Sequence, residues 1–122
     1  MSDTEKDVQS PEVTLNWIDE MNKIKDQCHA IAKEKGFWNM EVNNGERIAL
    51  IHSELSEALE ALRHGNPPDD KVPEFSGVEA ELADTIIRIL DFAGGRGYRV
   101  FEAMHAKMHY NSGRPYLHGK QF

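Results

Sequence analysis

The chain has 122 residues, enough for one compact domain around a single core. Its formal net charge of −7 argues against a nucleic-acid binder, which needs a basic face for phosphates, but leaves room for a nucleotide enzyme whose clustered acids are offset by divalent cations. A single cysteine, Cys28, excludes an intramolecular disulfide and points to a reducing cytoplasm, and neither the polar start MSDTEKDVQSPE nor any apolar run reads as a signal peptide or membrane span.

Residues 1–10 read as a flexible acidic tail and residues 11–122 as one domain. Ser10 followed by Pro11 is a helix start, and the first helix is expected to run to about Lys35, where Gly36 stops it. Its apolar face is Trp17, Met21, Ile24, Cys28, Ile31 and Ala32. A short connection begins at Gly36-Phe37-Trp38-Asn39. Asn43 and Glu46 have capping-box spacing and open a second helix, GERIALIHSELSEALEALRH, which ends at Gly65. The expected core stripe of this helix is Ile48, Ile51, Leu55, Leu59 and Leu62. NPPDDKVPEFSG is a loop with three prolines. Ser76 and Glu79 form another capping box, opening a third helix expected to end near Gly94-Gly95. A fourth helix is expected from about Tyr98 to Asn111, followed by the tail SGRPYLHGKQF. No strand pattern is present, so the chain reads as all-α with four main helices.

The third helix, VEAELADTIIRILDFA, is apolar in nearly every direction, yet Glu81, Asp84, Arg88 and Asp91 fall in one narrow stripe. On the second helix Glu54 and Glu57 lie three residues apart, on one side and off the leucine stripe. A solvated surface accounts for any single pair of this kind, and an Asp84–Arg88 pair at i,i+4 is a weak surface alternative. Two acidic pairs on two strongly apolar helices carry a more specific meaning. Carboxylates facing each other across packed helices repel, and a hard divalent cation such as Mg²⁺ removes that cost.

Carboxylate bundles also hold iron, with Glu-x-x-His motifs on two helices. Glu102 and His105 on the fourth helix, with Asp26 and His29 on the first, approach that pattern. Their wheel positions point away from the apolar faces, including the one formed by Val100, Phe101, Met104 and Met108, so all four are expected in solvent. Lys107, Asn111 and Arg114 follow at i, i+4, i+7, with Lys120 beyond. Alone they make a basic helix end that suits the helix dipole; beside a metal-bearing acidic pair they read as phosphate ligands.

GFWN, GERIALIHSELSEALEALRHG, ELADTIIRILDFA and KMHYNSGRPYLHGK together resemble the MazG-like nucleotide pyrophosphohydrolases of the all-α NTP pyrophosphatase superfamily, over roughly residues 13–120. The family's EExxE motif matches at Glu54 and Glu57, with Ser53 in place of its first acid, and its ExxD motif matches Glu81 and Asp84. The resemblance implies a four-helix MazG-like bundle completed as a homodimer or homotetramer, which the wide apolar arc of the third helix suits. It implies cleavage of a (deoxy)nucleoside triphosphate to the monophosphate and pyrophosphate, with Mg²⁺ as cofactor and Mn²⁺ as a substitute. Glu54, Glu57, Glu81 and Asp84 would hold metal, and Glu57, Asp84 and Lys107 would act in catalysis. Lys107, Asn111, Arg114 and Lys120 would contact the phosphates or sugar, and Trp38 would stack on the base. The rival readings are a non-catalytic helical interaction module and a carboxylate-bridged di-iron bundle. No membrane or nucleic-acid partner is expected.

Overall fold

The computed structural model of the protein describes residues 11–121; the expected tail at 1–10 lies outside them. Four α-helices follow in order: α1 (Pro11–Glu34), α2 (Asn44–Arg63), α3 (Gly77–Arg96) and α4 (Val100–Ser112), with a short 3₁₀ turn at Tyr116–Gly119. No strand occurs among the described residues, and the one isolated bridge, Pro68 to Ser76, closes the loop between α2 and α3. None of the described helices is long and apolar enough to cross a membrane.

The helix starts follow local chemistry. Asn43 caps α2 by accepting the Glu46 N–H at 2.8 Å, and Ser76 and Glu79 cap α3 reciprocally. The end of α3 differs from expectation. The helix runs through Gly94 and Gly95 to Arg96 and is stopped by Gly97 in the left-handed conformation, φ 72°. Gly94 and Gly95 are there for clearance. A Cβ at Gly94 would sit 2.9 Å from the His29 Cβ, and one at Gly95 would overlap the Trp38 ring.

The central helix is α3, packed on both α1 and α2, while α4 rests chiefly on α1. Ile18, Leu90 and Phe101 form the buried centre, flanked by Trp17, Met21, Cys28 and Val100. Trp17 meets Phe101 edge to face at 6.3 Å. The α2 and α3 helices run antiparallel, because Gly77 lies against Ala61, Arg88 against Glu54, and Arg96 against Asn44. The intervening loop is pinned at both ends. Asn66 donates its N–H to the Ala61 carbonyl, and its side chain accepts from the Val78 N–H. Asp69 accepts the Lys71 and Val72 N–H groups, which hold its carboxyl below the usual range.

The faces that pack differ from those with the strongest apolar pattern. On α2, Ile48, Leu55, Leu59 and Leu62 are exposed; the packed side is Arg47, Ile51, Glu54, Ala58 and Ala61. Small residues allow close approach to α3, and close approach decides the facing. On α3, Leu82, Ile86 and Ile87 are exposed, and on α4 Met104 and Met108 are exposed. On α1, Ile24 and Ile31 are exposed, whereas His29 is half-buried against α3. Glu102 on α4 is also half-buried, accepting a 3.3 Å bond from Asn22 on α1. The expectation of solvent for His29 and Glu102 is therefore corrected, while Asp26 and His105 are exposed.

Candidate metal centre

The seam between α2 and α3 carries the site. Glu54 lies on the packed side of α2, one turn before the buried Ala58. Glu81 lies on the inner side of α3, one turn before the buried Thr85, whose hydroxyl is spent on the Glu81 carbonyl at 2.8 Å. Asp84 follows Glu81 by three residues and so flanks it. One carboxylate oxygen from each of Glu54, Glu81 and Asp84 lies within 4.8 Å of the others. Glu54 and Glu81 are half-buried and Asp84 is exposed, so the set opens to solvent on the Asp84 side.

The electrostatics fit a cluster of like charges. The Glu81 carboxyl is raised above its ordinary value, first by burial, then by a hydrogen bond shared with Glu54, then by repulsion from Asp84, Glu54 and Glu57. Arg88 partly relieves the cluster. Its Nε donates to Glu54 Oε1 at 2.7 Å, and Glu54 is only 16% exposed. The sequence pattern paired Arg88 with Asp84, one turn back on the same helix. Its partner is instead Glu54 on α2, because Arg88 lies on the seam. With all acids ionised, three carboxylates against one guanidinium leave two negative charges, the equivalent of one divalent cation. The donors are all carboxylate oxygens, a set that suits a hard cation rather than a soft metal.

Glu57 is exposed and outside this triad, although its charge still acts on Glu81. Glu54, Glu81 and Asp84 are the one metal-competent group of His, Cys, Asp and Glu among the described residues. Asp26, His29, Glu102 and His105 are not brought together as a ligand set.

No known protein family, curated protein or solved structure matches this chain. The likeness to MazG-like enzymes rests on the quoted motifs alone.

The remaining site candidates lie elsewhere. Lys107, Asn111 and Lys120 are exposed and Arg114 is half-buried. The Lys107 and Arg114 cationic groups each sit 5.6 Å from the Tyr110 ring centre. Among the described residues none of the four makes an ion pair with the acids, since α4 rests chiefly on α1. Trp38 is built into the fold. Its Nε1 donates to Asp91 Oδ1 at 2.8 Å, His29 Nδ1 meets the same oxygen at 3.0 Å, and Arg47 lies over the indole face at 3.5 Å. A guanidinium thus occupies a face that base stacking would use. The sequence does not reveal these roles for Arg47, Asp91 or His29. Arg47 is two turns before Glu54 on one face, a spacing that heptad counting reveals. Asp91 was visible in the α3 acid stripe without a role. The pairing of His29 with Asp91, 62 residues away, left no local signal.

Proposed function

We propose that the protein is a Mg²⁺-dependent nucleoside triphosphate pyrophosphohydrolase, with Mn²⁺ as a substitute, cleaving a (deoxy)nucleoside triphosphate to the monophosphate and pyrophosphate. The observation that carries this reading is the convergence of Glu54, Glu81 and Asp84 within 4.8 Å at the α2–α3 seam. A part-buried carboxylate without a counter-ion is costly, and Glu81 is half-buried while Arg88 is paired with Glu54. The bound ion would supply charge for the phosphates and lower the pKa of a water.

The chain's own residues divide the rest of the work. Arg88 fixes Glu54 by one carboxylate oxygen and leaves the other for a ligand. Asp84, exposed beside the half-buried Glu81, presents the triad to substrate. Glu57, one turn along α2 and exposed, takes the proton of the attacking water in this reading. Lys107, Asn111, Arg114 and Lys120 bind the phosphates, supplied by a second subunit of a homodimer or homotetramer. The exposed apolar residues Leu59 and Leu62 on α2, with Leu82, Ile86 and Ile87 on α3, support that assembly and a MazG-like bundle completed by it.

The test is pyrophosphate release from each canonical and deoxy triphosphate with Mg²⁺, comparing the wild type with Asp84→Asn. Metal-dependent turnover should fall by orders of magnitude in the variant while helicity persists. An Asp84→Asn protein with wild-type turnover, or a wild type inactive on every triphosphate, overturns the reading.

A further inference from the structure

A separate pocket of about 480 Å³ opens at the N-terminal end of α2, beside the connection from α1 and the end of α3. Trp38, Val42, Asn43, Arg47 and Arg96 line it, together with the exposed acid Glu41. Two arginines and one acid therefore share its lining.

Neither guanidinium is in an ion pair among the described residues. Arg96 is held by neutral acceptors: its Nε donates to Asn44 Oδ1 at 2.9 Å and its Nη2 to the Val42 carbonyl at 3.1 Å. Its orientation is fixed and its charge remains. Arg47 is held by an aromatic face, with its Cζ 3.5 Å from the Trp38 ring centre. Its Nε is buried and has no hydrogen-bond partner. That nitrogen is closed off, so the terminal Nη groups of the guanidinium are the ones left to meet an anion in the pocket. Trp38 cannot turn aside, because Asp91 holds its indole nitrogen and His29 abuts its ring at 4.8 Å. The result is a rigid, positively charged wall whose guanidiniums match the oxygens of an oxyanion.

The volume says more about the ligand. A bare phosphate would leave most of the pocket empty, whereas 480 Å³ lies in the range that holds a whole small molecule. Val42 and Met40 give its non-anionic part an apolar surface. Arg47 and Glu54 are seven residues apart on α2, about 10 Å along the helix, so the pocket has its own anchor points away from the acids.

We propose that this pocket is a metal-independent binding site for a small phosphate monoester of nucleoside monophosphate size, held through Arg47 and Arg96. The proposal stands whether or not the acid triad hydrolyses triphosphates.

The experiment uses the full chain in EDTA, carrying Trp17→Phe so that Trp38 is the only tryptophan reporting. Adenosine monophosphate, inorganic phosphate and adenosine are titrated in turn while indole emission is followed. Adenosine monophosphate should give a saturable change, phosphate a weaker one, and adenosine none. Arg47→Met and Arg96→Met should each weaken the nucleotide response about tenfold or more, as expected for losing a charge-assisted bond. Glu81→Gln should leave it unchanged. If Arg47→Met unfolds by circular dichroism, the exposed Arg96 carries the test. An absent nucleotide response, an equal response to adenosine, or an affinity that survives loss of the arginine overturns the proposal.

Discussion

Replacing Glu81 by Gln should make the metal-free protein more stable and the metal-bound protein less so. The substitution keeps shape and helix position but removes one charge from a triad whose ligand oxygens lie within 4.8 Å of each other. At that spacing each like-charge neighbour costs about 0.9 kcal/mol in a water-like dielectric. Glu81 has two such neighbours, for about 2 kcal/mol at most, and the Arg88 guanidinium beside Glu54 offsets part of it. The net gain without metal is then about 1 kcal/mol, or about 4 °C in midpoint for a chain of this length. Saturating Mg²⁺, at about one hundred times its dissociation constant, stabilises the wild type by about 2.7 kcal/mol, or about 10 °C. The variant, with one charged ligand fewer, should gain about half of that or less. Calorimetric melts in EDTA and in excess Mg²⁺ should therefore rank the two proteins in opposite orders. A Glu81→Gln protein less stable than the wild type in EDTA, with the same response to Mg²⁺, would refute the metal-cluster argument.

Three further outcomes are expected. Because the fold raises the Glu81 carboxyl, the native state binds its proton more tightly than the unfolded chain does. This group favours folding below the ordinary glutamate value, and that gain is lost as pH rises through the raised one. The urea midpoint in EDTA should decline across this window relative to Glu81→Gln; a relative rise would contradict the sign. Gly95→Ala should destabilise by about 2 kcal/mol, although Ala normally gains about 1 kcal/mol over Gly within a helix, because its Cβ meets Trp38. Denaturant titration with indole emission checks this, and a stabilised variant would sink it. Leu59→Lys with Ile86→Lys should yield a monomer by light scattering if the apolar face is an assembly surface. The two side chains are 52% and 55% exposed in one chain, so without assembly each change should cost no more than about 0.5 kcal/mol.

The helices were legible because their ends are local chemistry: Asn43 and Ser76 act through residues three positions away. Their facing was not. Leucine outranks alanine in any hydropathy pattern, yet Ala58 and Ala61 mark the packed side of α2 and the leucine stripe lies outside. Glu54 looked peripheral for the same reason, although it sits on the seam. The Glu81 and Asp84 spacing was readable as one helix turn, but its convergence with Glu54 depends on how α2 meets α3, which no single-helix pattern contains. Gly95 read as a stop because the opposing Trp38 is 57 positions away. The His29–Asp91 pair was hidden by the same separation.

The seam between α2 and α3 sets a tolerance as well as a position. Where leucines hold two helices apart, the gap can breathe as rotamers change. Ala58 and Ala61 have no rotamers, and a Cβ at Gly77 would already stand 3.0 Å from the Ala61 Cβ. The two acid-bearing backbones are thus spaced by the thickness of the chain itself, like rails on a fixed gauge. Adjustment is left to the carboxylate arms, and these are unequal. Glu54 is held by Arg88 and Asp84 has one rotatable bond fewer than a glutamate, so the free adjustment falls mainly to Glu81.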